Sequence, residues 1–185
     1  MTLEQATECK DHWRRTHPKW VDMWHDLEKG ALSACRLPGK VLRVGKLAWC
    51  FDGNHLKLRL PSGRIVWFPW AEIQERETPW GAWKPMLTYE FVHPKTKQWV
   101  RGDTHAGALF NVVVQGTGAC LLRHTARNMR RRGMQVVMRV HDEIIIEGDS
   151  HSFAAFKKTM LEVPDWADGL LINGAGWSGP RYRKD

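Results

Sequence analysis

Three ionisable side chains stand in a row at His141, Asp142 and Glu143, with VVMRV before them and III after. Burying such groups between two apolar β-type runs is costly unless they sit at an exposed hairpin tip. The pattern therefore predicts two alternating strands over 134–148 that meet near His141 and Asp142. A carboxylate presented there is a hard oxygen donor of the kind Mg²⁺ takes, one or two at a time, beside phosphate oxygens. A polar turn with a stray acid pair accounts for the same residues without a metal. A second pair, Asn111 and Gln115, lies one helical turn apart with Gly118 following on an uncharged face. Their amides can address base edges or sugars in the shallow groove of a duplex, or bond each other on a solvated helix.

The elements that must position these groups are legible in the patterning. Thr2, followed by Glu4 and Gln5, opens a first helix that Pro18 interrupts. A second helix over 18–33 puts Trp20, Trp24, Leu27 and Ala31 on one stripe and ends at Leu37-Pro38-Gly39. From 41 to 100 short runs (VLRV, LAWCF, LKLRL, IVWF, LTYEFV, QWV) alternate with the turn formers DGN, PSG and PKTK, predicting an antiparallel meander. The stretch between Pro69 and Pro85, containing EIQERETPWGAW, reads as an irregular surface loop. A long helix over 104–132 carries Leu109, Val112, Val113, Gly116, Ala119 and Cys120 on one arc and Asn111, Gln115 and Gly118 opposite. Beyond Cys120 the apolar arc is taken by Arg123, Arg127, Arg130 and Arg131, so the helix either leaves the core there or bends. Gly133 stops it, and Met134, Val136, Met138 and Val140 are expected on one strand face. A helix over 150–161, a strand over 169–174 and a basic tail follow.

Composition bounds the reading. The 185 residues are 43% hydrophobic and 26% charged, which suits one compact α+β domain and excludes disordered or collagenous classes. No apolar run approaches the roughly 18 to 20 residues of a spanning helix, and no signal-peptide core opens the chain, so a soluble, cytoplasmic protein is expected. Cys9, Cys35, Cys50 and Cys120 fall at irregular spacings that suggest neither a zinc site nor a disulfide frame. Net charge is +8, and residues 101–139 hold seven basic groups against one acid, a concentration that favours polyanions. Of the eleven Trp residues most are expected to anchor core and loops, although such rings also stack bases.

FNVVVQGTGACLLR followed by VMRVHDEIIIEG strongly resembles the C-terminal palm of family A DNA polymerases, the group of bacterial DNA polymerase I and many phage replicases. HPKWVDMWHDLEKGA is similar to the helix after motif B, LRLPSGRIVWFPWAEI with TPWG and RGDTHAG to the strand insertion of the phage-type branch, and GWSGPRYRK to phage-enzyme tails. The resemblance covers nearly the whole chain and implies a single partial polymerase domain. Residues 1–36 would be helices following motif B, 37–102 a β-rich insertion, and 103–185 palm. The palm part would hold an antiparallel sheet, the motif C β-hairpin and a long helix packed on it. It implies Asp142 as a ligand of catalytic Mg²⁺ in a two-metal site, His141 at the primer terminus and Glu143 as a tuning acid. Asn111 and Gln115 would meet the primer-template duplex in its minor groove, and Arg123, Arg127 and Arg130 would meet DNA. Many members carry a basic residue one turn before that Asn, where this chain has Gly107.

The same resemblance implies DNA-directed nucleotidyl transfer in replication, with primer-template DNA and deoxynucleoside triphosphates as partners and a phage or prophage origin. The sequence contains neither the D-x-S-x-I-E context of motif A nor the K-x₃-F/Y-G-x₂-Y-G segment of motif B. The second metal-ligand Asp is therefore expected from a partner chain, an N-terminal polymerase fragment. A catalytically inactive DNA-binding remnant is the alternative, and an unrelated metal-dependent nuclease a more distant one.

Overall fold

The first helix begins where Thr2 can cap it. In the computed structural model, which describes residues 2–78, 81–149 and 152–182, the Thr2 hydroxyl accepts from the Gln5 N–H while the Gln5 amide oxygen accepts from the Thr2 N–H. This reciprocal capping box starts α1 (Leu3–Thr16). Pro18, placed where a helix needs no N–H, begins α2 (Pro18–Arg36), which runs three residues past the expected end. Its stripe is buried at Leu27, Ala31 and Ala34, whereas Trp20 is half exposed.

The described residues form an α+β chain of four α-helices and three small antiparallel sheets. They divide into two compact units, Met1–Val114 and Gln115–Asp185. In the first unit β1 (Val41–Val44), β2 (Leu47–Phe51), β3 (Leu56–Arg59) and β4 (Ile65–Phe68) form a four-stranded sheet in sequence order. One face of it shares a core with α2, built on Leu27, Ala31, Trp49, Leu56 and Leu58. Gly30 is required by that contact, since a Cβ there would meet the Trp49 ring and the Val44 side chain at 2.9 Å.

The single meander is two sheets, and the stretch expected as a loop supplies strands to the second. β5 (Glu72–Glu77) pairs with β6 (Trp83–Val92), which pairs with β7 (Trp99–Thr104). EIQERE reads as loop because it is charged and lacks an apolar face, yet its ladder continues through Glu75↔Pro85 to Glu77↔Trp83. Pro85 is tolerated because β7 pairs with β6 only from Leu87 onward, so no donor is needed on that side. Thr78 closes the hairpin by exchanging hydrogen bonds with Ala82; Pro79 and Trp80 of the TPWG motif lie outside the described residues.

The long helix, α3, spans Ala106–Arg131; Thr104 belongs to β7 instead. Its first part lies in the first unit and the rest in the second. The helix is unbroken, and beyond Cys120 an offset stripe of Leu122, Ala126 and Met129 is taken into a second core. That change of buried face leaves Arg123, Arg127, Arg130 and Arg131 exposed on the arc that was apolar earlier. Gly133, at φ +79°, ends the helix in a Schellman arrangement: its N–H donates to Arg130 O and the Met134 N–H to Met129 O.

β8 (Gln135–Val140) and β9 (Glu143–Glu147) form the predicted hairpin, but not with the predicted face. Val136 pairs with Ile146 and Met138 with Ile145, so Val137 is an extra residue, a β-bulge. Alternation resets there. Val136 and Arg139 lie on the side of buried Ile144, while Met138, expected with Val136, is turned outward and 42% exposed. α4 (Phe153–Met160) follows; the expected start at Ser150 lies outside the described residues. Residues 169–174 form no strand. Leu170 and Leu171 are exposed after a short 3₁₀ turn at Asp165–Ala167, and among the described residues no strand pairs with them.

Candidate functional site

Hairpin closure puts the three ionisable residues at one tip. Val140 pairs with Glu143, leaving His141 and Asp142 as the two turn residues. His141 has φ +50°, the positive value that two-residue hairpin turns of the primed types need at their first central position. An L-residue pays roughly 1 kcal/mol for this conformation, and His is among the few types enriched there. The tip is thus a tight turn that directs Asp142 outward, and His141, Asp142 and Glu143 are all exposed. Among the described residues Asp142 has no hydrogen-bond or ion-pair partner. Glu143 accepts a 3.0 Å hydrogen bond from the Tyr182 hydroxyl, which raises the Tyr182 pKa above its ordinary value.

Tyr182 belongs to the C-terminal segment, which returns along β9. Between it and the hairpin lies a cleft of about 430 Å³. Its lining includes Asp142, Glu143 and the Ile144–Ile146 run of the hairpin, Phe153 and Phe156 of α4, and residues between Ala175 and Tyr182. Beneath the tip the hairpin rests on α3 through Ile144, Ala126 and Met129. Arg132 ties α3 to α4 by donating to Thr159 Oγ1 at 2.7 Å and pairing with Glu162 at 2.7 Å.

The arginines singled out in the sequence come together. Arg123, Arg127 and Arg130 border one cleft of the second unit with Ala126, and two further cations, Arg131 and Arg139, complete it. None of the five has an ion-pair partner among the described residues, in contrast to Arg132. Arg131 was visible in the sequence as part of the arc, but Arg139 was not. Only the bulge at Val137 turns it to the α3 side, and no local signal announces that. Tyr182 was equally hidden, because its partner lies 39 residues away. Asn111 and Gln115 are both exposed on α3, as their helix positions predict, and neither is bonded to the other. Gly107 and Gly118 leave that helix without bulk at their positions.

Mg²⁺ fits this arrangement in part. Asp142 is an exposed carboxylate at the hairpin tip, the right donor for one coordination position of a hard cation. Among the described residues, however, no group of three or more His, Cys, Asp or Glu side chains is placed to hold a metal ion. No disulfide joins the four cysteines, and no described helix is long and apolar enough to cross a membrane.

No family profile and no solved structure matches the chain. It is 31% identical over 185 residues to a protein named DNA polymerase from Bacillus phage SP02, an alignment that covers 98% of this chain and 28% of that protein. The chain is therefore a distant homologue of a DNA polymerase along almost all of its own length, and it spans little more than a quarter of that relative.

Proposed function

We propose that this chain is the motif C part of a family A DNA polymerase, with residues 103–185 contributing palm and 37–102 a phage-type insertion. The observation that carries this reading is the two-residue tip that presents Asp142, set beside the 31% identity to a phage DNA polymerase across 98% of the chain. In this role the Asp142 carboxylate ligates Mg²⁺ and His141 meets the primer terminus. Glu143, held by Tyr182, biases the local charge without ligating. Asn111 and Gln115 read pair geometry in the minor groove of the primer-template duplex, and Arg123, Arg127 and Arg130 neutralise phosphates. Bound Mg²⁺ ions supply charge stabilisation to the attacking and leaving oxygens of an in-line nucleotidyl transfer from deoxynucleoside triphosphates.

One exposed carboxylate does not make that site. The second aspartate and the groups that grip the triphosphate must come from polypeptide outside these 185 residues, in the same product or in a partner chain carrying motifs A and B. The test is primer extension with Mg²⁺, using the chain with and without such a segment. Extension is expected only from the combination and should fall by roughly a hundredfold to a thousandfold on Asp142→Asn, the scale of losing a preorganised electrostatic group. Extension by the chain alone would refute the dependence on a second segment. The concentration of seven basic groups against one acid over residues 101–139 supports one other reading, a noncatalytic DNA-binding remnant. That reading predicts salt-sensitive duplex binding indifferent to Mg²⁺ and to Asp142, with no activity restored in the mixture.

A further inference from the structure

The four-stranded sheet of the first unit has two unlike faces. The inner one packs on α2. The outer one is set by register: Arg43, Ala48, Arg59 and Ile65 form one row across β1–β4, and Val41, Cys50, Lys57 and Trp67 the next. Adjacent strands lie about 4.8 Å apart, so Arg43 and Arg59 stand roughly 10 Å apart on either side of the small Ala48. Neither arginine has an ion-pair partner among the described residues. Trp67 is 51% and Ile65 44% exposed, an unusual load for the solvent side of a sheet. The Lys57 ammonium lies 4.5 Å from the Trp67 ring centre, and the His55 ring meets both Trp67 and Trp70 edge-on.

Charge on this sheet is one-sided. Residues 37–71 contain six Lys and Arg residues and a single carboxylate, Asp52. Asp52 lies in the β2–β3 turn and is already engaged by Lys57 at 2.7 Å. Lys46 and Arg64 occupy the two turns at the opposite end, the end at which Arg43 and Arg59 stand. The expectation that most Trp residues anchor core and loops also fails here. Among the described residues Trp49 is fully buried, but seven other Trp residues, Trp67 and Trp70 among them, are more than a third exposed.

An open antiparallel surface that combines exposed rings with cations and a shallow floor of small residues suits unpaired bases, which stack on any π-face while their phosphates meet the cations. We propose that the outer face of the β1–β4 sheet binds single-stranded nucleic acid, with Trp67 as a stacking platform and Arg43 and Arg59 on the phosphates. This site is separate from the hairpin tip and does not depend on the polymerase reading. A duplex suits it poorly, because the rings need bases that are out of the stack.

The test measures anisotropy of a labelled 20-nucleotide oligothymidylate and of a hairpin duplex with the full 185-residue chain over a salt series. Arg43→Ala/Arg59→Ala should flatten the slope of log affinity against log salt by about 1.4 for the single strand, two contacts of about 0.7 each. Trp67→Ala should weaken it about tenfold, with Trp67→Phe recovering most of the loss. Duplex affinity should stay unchanged in these variants and fall instead with Arg123→Ala/Arg127→Ala. Single-strand affinity and slope that stay at the parent values in both sheet variants, with parent-like circular dichroism, would overturn the proposal. So would polyglutamate competing as well as oligothymidylate, which would assign the face to an acidic protein. A chain that binds the single strand through this face but binds no duplex would sink the polymerase reading and leave this one standing.

Discussion

Substituting the two methionines around the hairpin tests the bulge that organises the candidate site. Met129 is fully buried between α3 and the hairpin. Removing its side chain beyond Cβ should cost about 3 kcal/mol, in the middle of the range for buried Met truncation. Met138 is 42% exposed on the outward face, so Met138→Ala should cost about 1 kcal/mol or less. With a urea m-value of about 2 kcal/mol/M, the two variants separate by roughly 1 M in midpoint. Urea unfolding followed by far-ultraviolet circular dichroism, on the parent and both variants, measures this directly. Strict alternation through β8 would put Met138 on the same side as Val136 and make the two truncations comparable. Equal midpoint shifts would therefore refute the bulge at Val137, and with it the placement of Arg139 beside the α3 arginines.

Three further outcomes are expected. At the tip, His141→Gly should be neutral or stabilising by up to about 1 kcal/mol while His141→Val destabilises by about 1 to 2, because a β-branched residue resists positive φ; thermal melts that rank the two equally would contradict the turn geometry. Burial of Cys35 on α2 pushes its thiol up to about 11, with Arg36 opposing only in part. A folded pKa above the unfolded value of 9.0 means that this contribution to stability is complete below about pH 9 and lost as pH rises through about 11. Melting temperatures from pH 8 to 11 should thus fall less steeply in Cys35→Ala, and at pH 8 iodoacetamide should label exposed Cys9 well before Cys35. Asp52 is held well below the usual carboxylate range, first by the Lys57 side chain and then by the N–H groups of His55 and Asn54. Its contribution is present above about pH 4 and lost as pH falls further; being exposed, it is worth only roughly a few tenths of a kcal/mol. Urea midpoints at pH 5 and pH 2 should differ slightly less in Asp52→Asn than in the parent.

Local chemistry made much of the fold legible. The Thr2 cap, Pro18, Gly133 and the apolar spacing of α2 and α3 act within a few residues of where they stand, so helix positions came out within about three residues of those observed. The tip at His141 and Asp142 was equally readable, because three ionisable groups between two apolar β runs have few other places to go. The errors fell where long-range pairing outweighs local preference. EIQERE becomes a strand because β6 offers it a ladder, and the 169–174 stretch does not because no described strand pairs with it.

For the candidate site the division is similar. Residue types and spacing were enough to single out Asp142, the Asn111 and Gln115 pair and the arginines of α3, since helix and strand periods are properties of the chain itself. Three things needed the folded chain. The Val137 bulge sends Arg139 to one side and Met138 to the other, and the return of the C-terminal segment gives Glu143 its Tyr182 partner. The register of β1–β4 lines up Arg43 with Arg59 and Lys57 with Trp67. Each is a contact between residues distant in sequence or a one-residue slip in pairing, and a one-residue slip reverses which face a side chain occupies without changing a single local propensity.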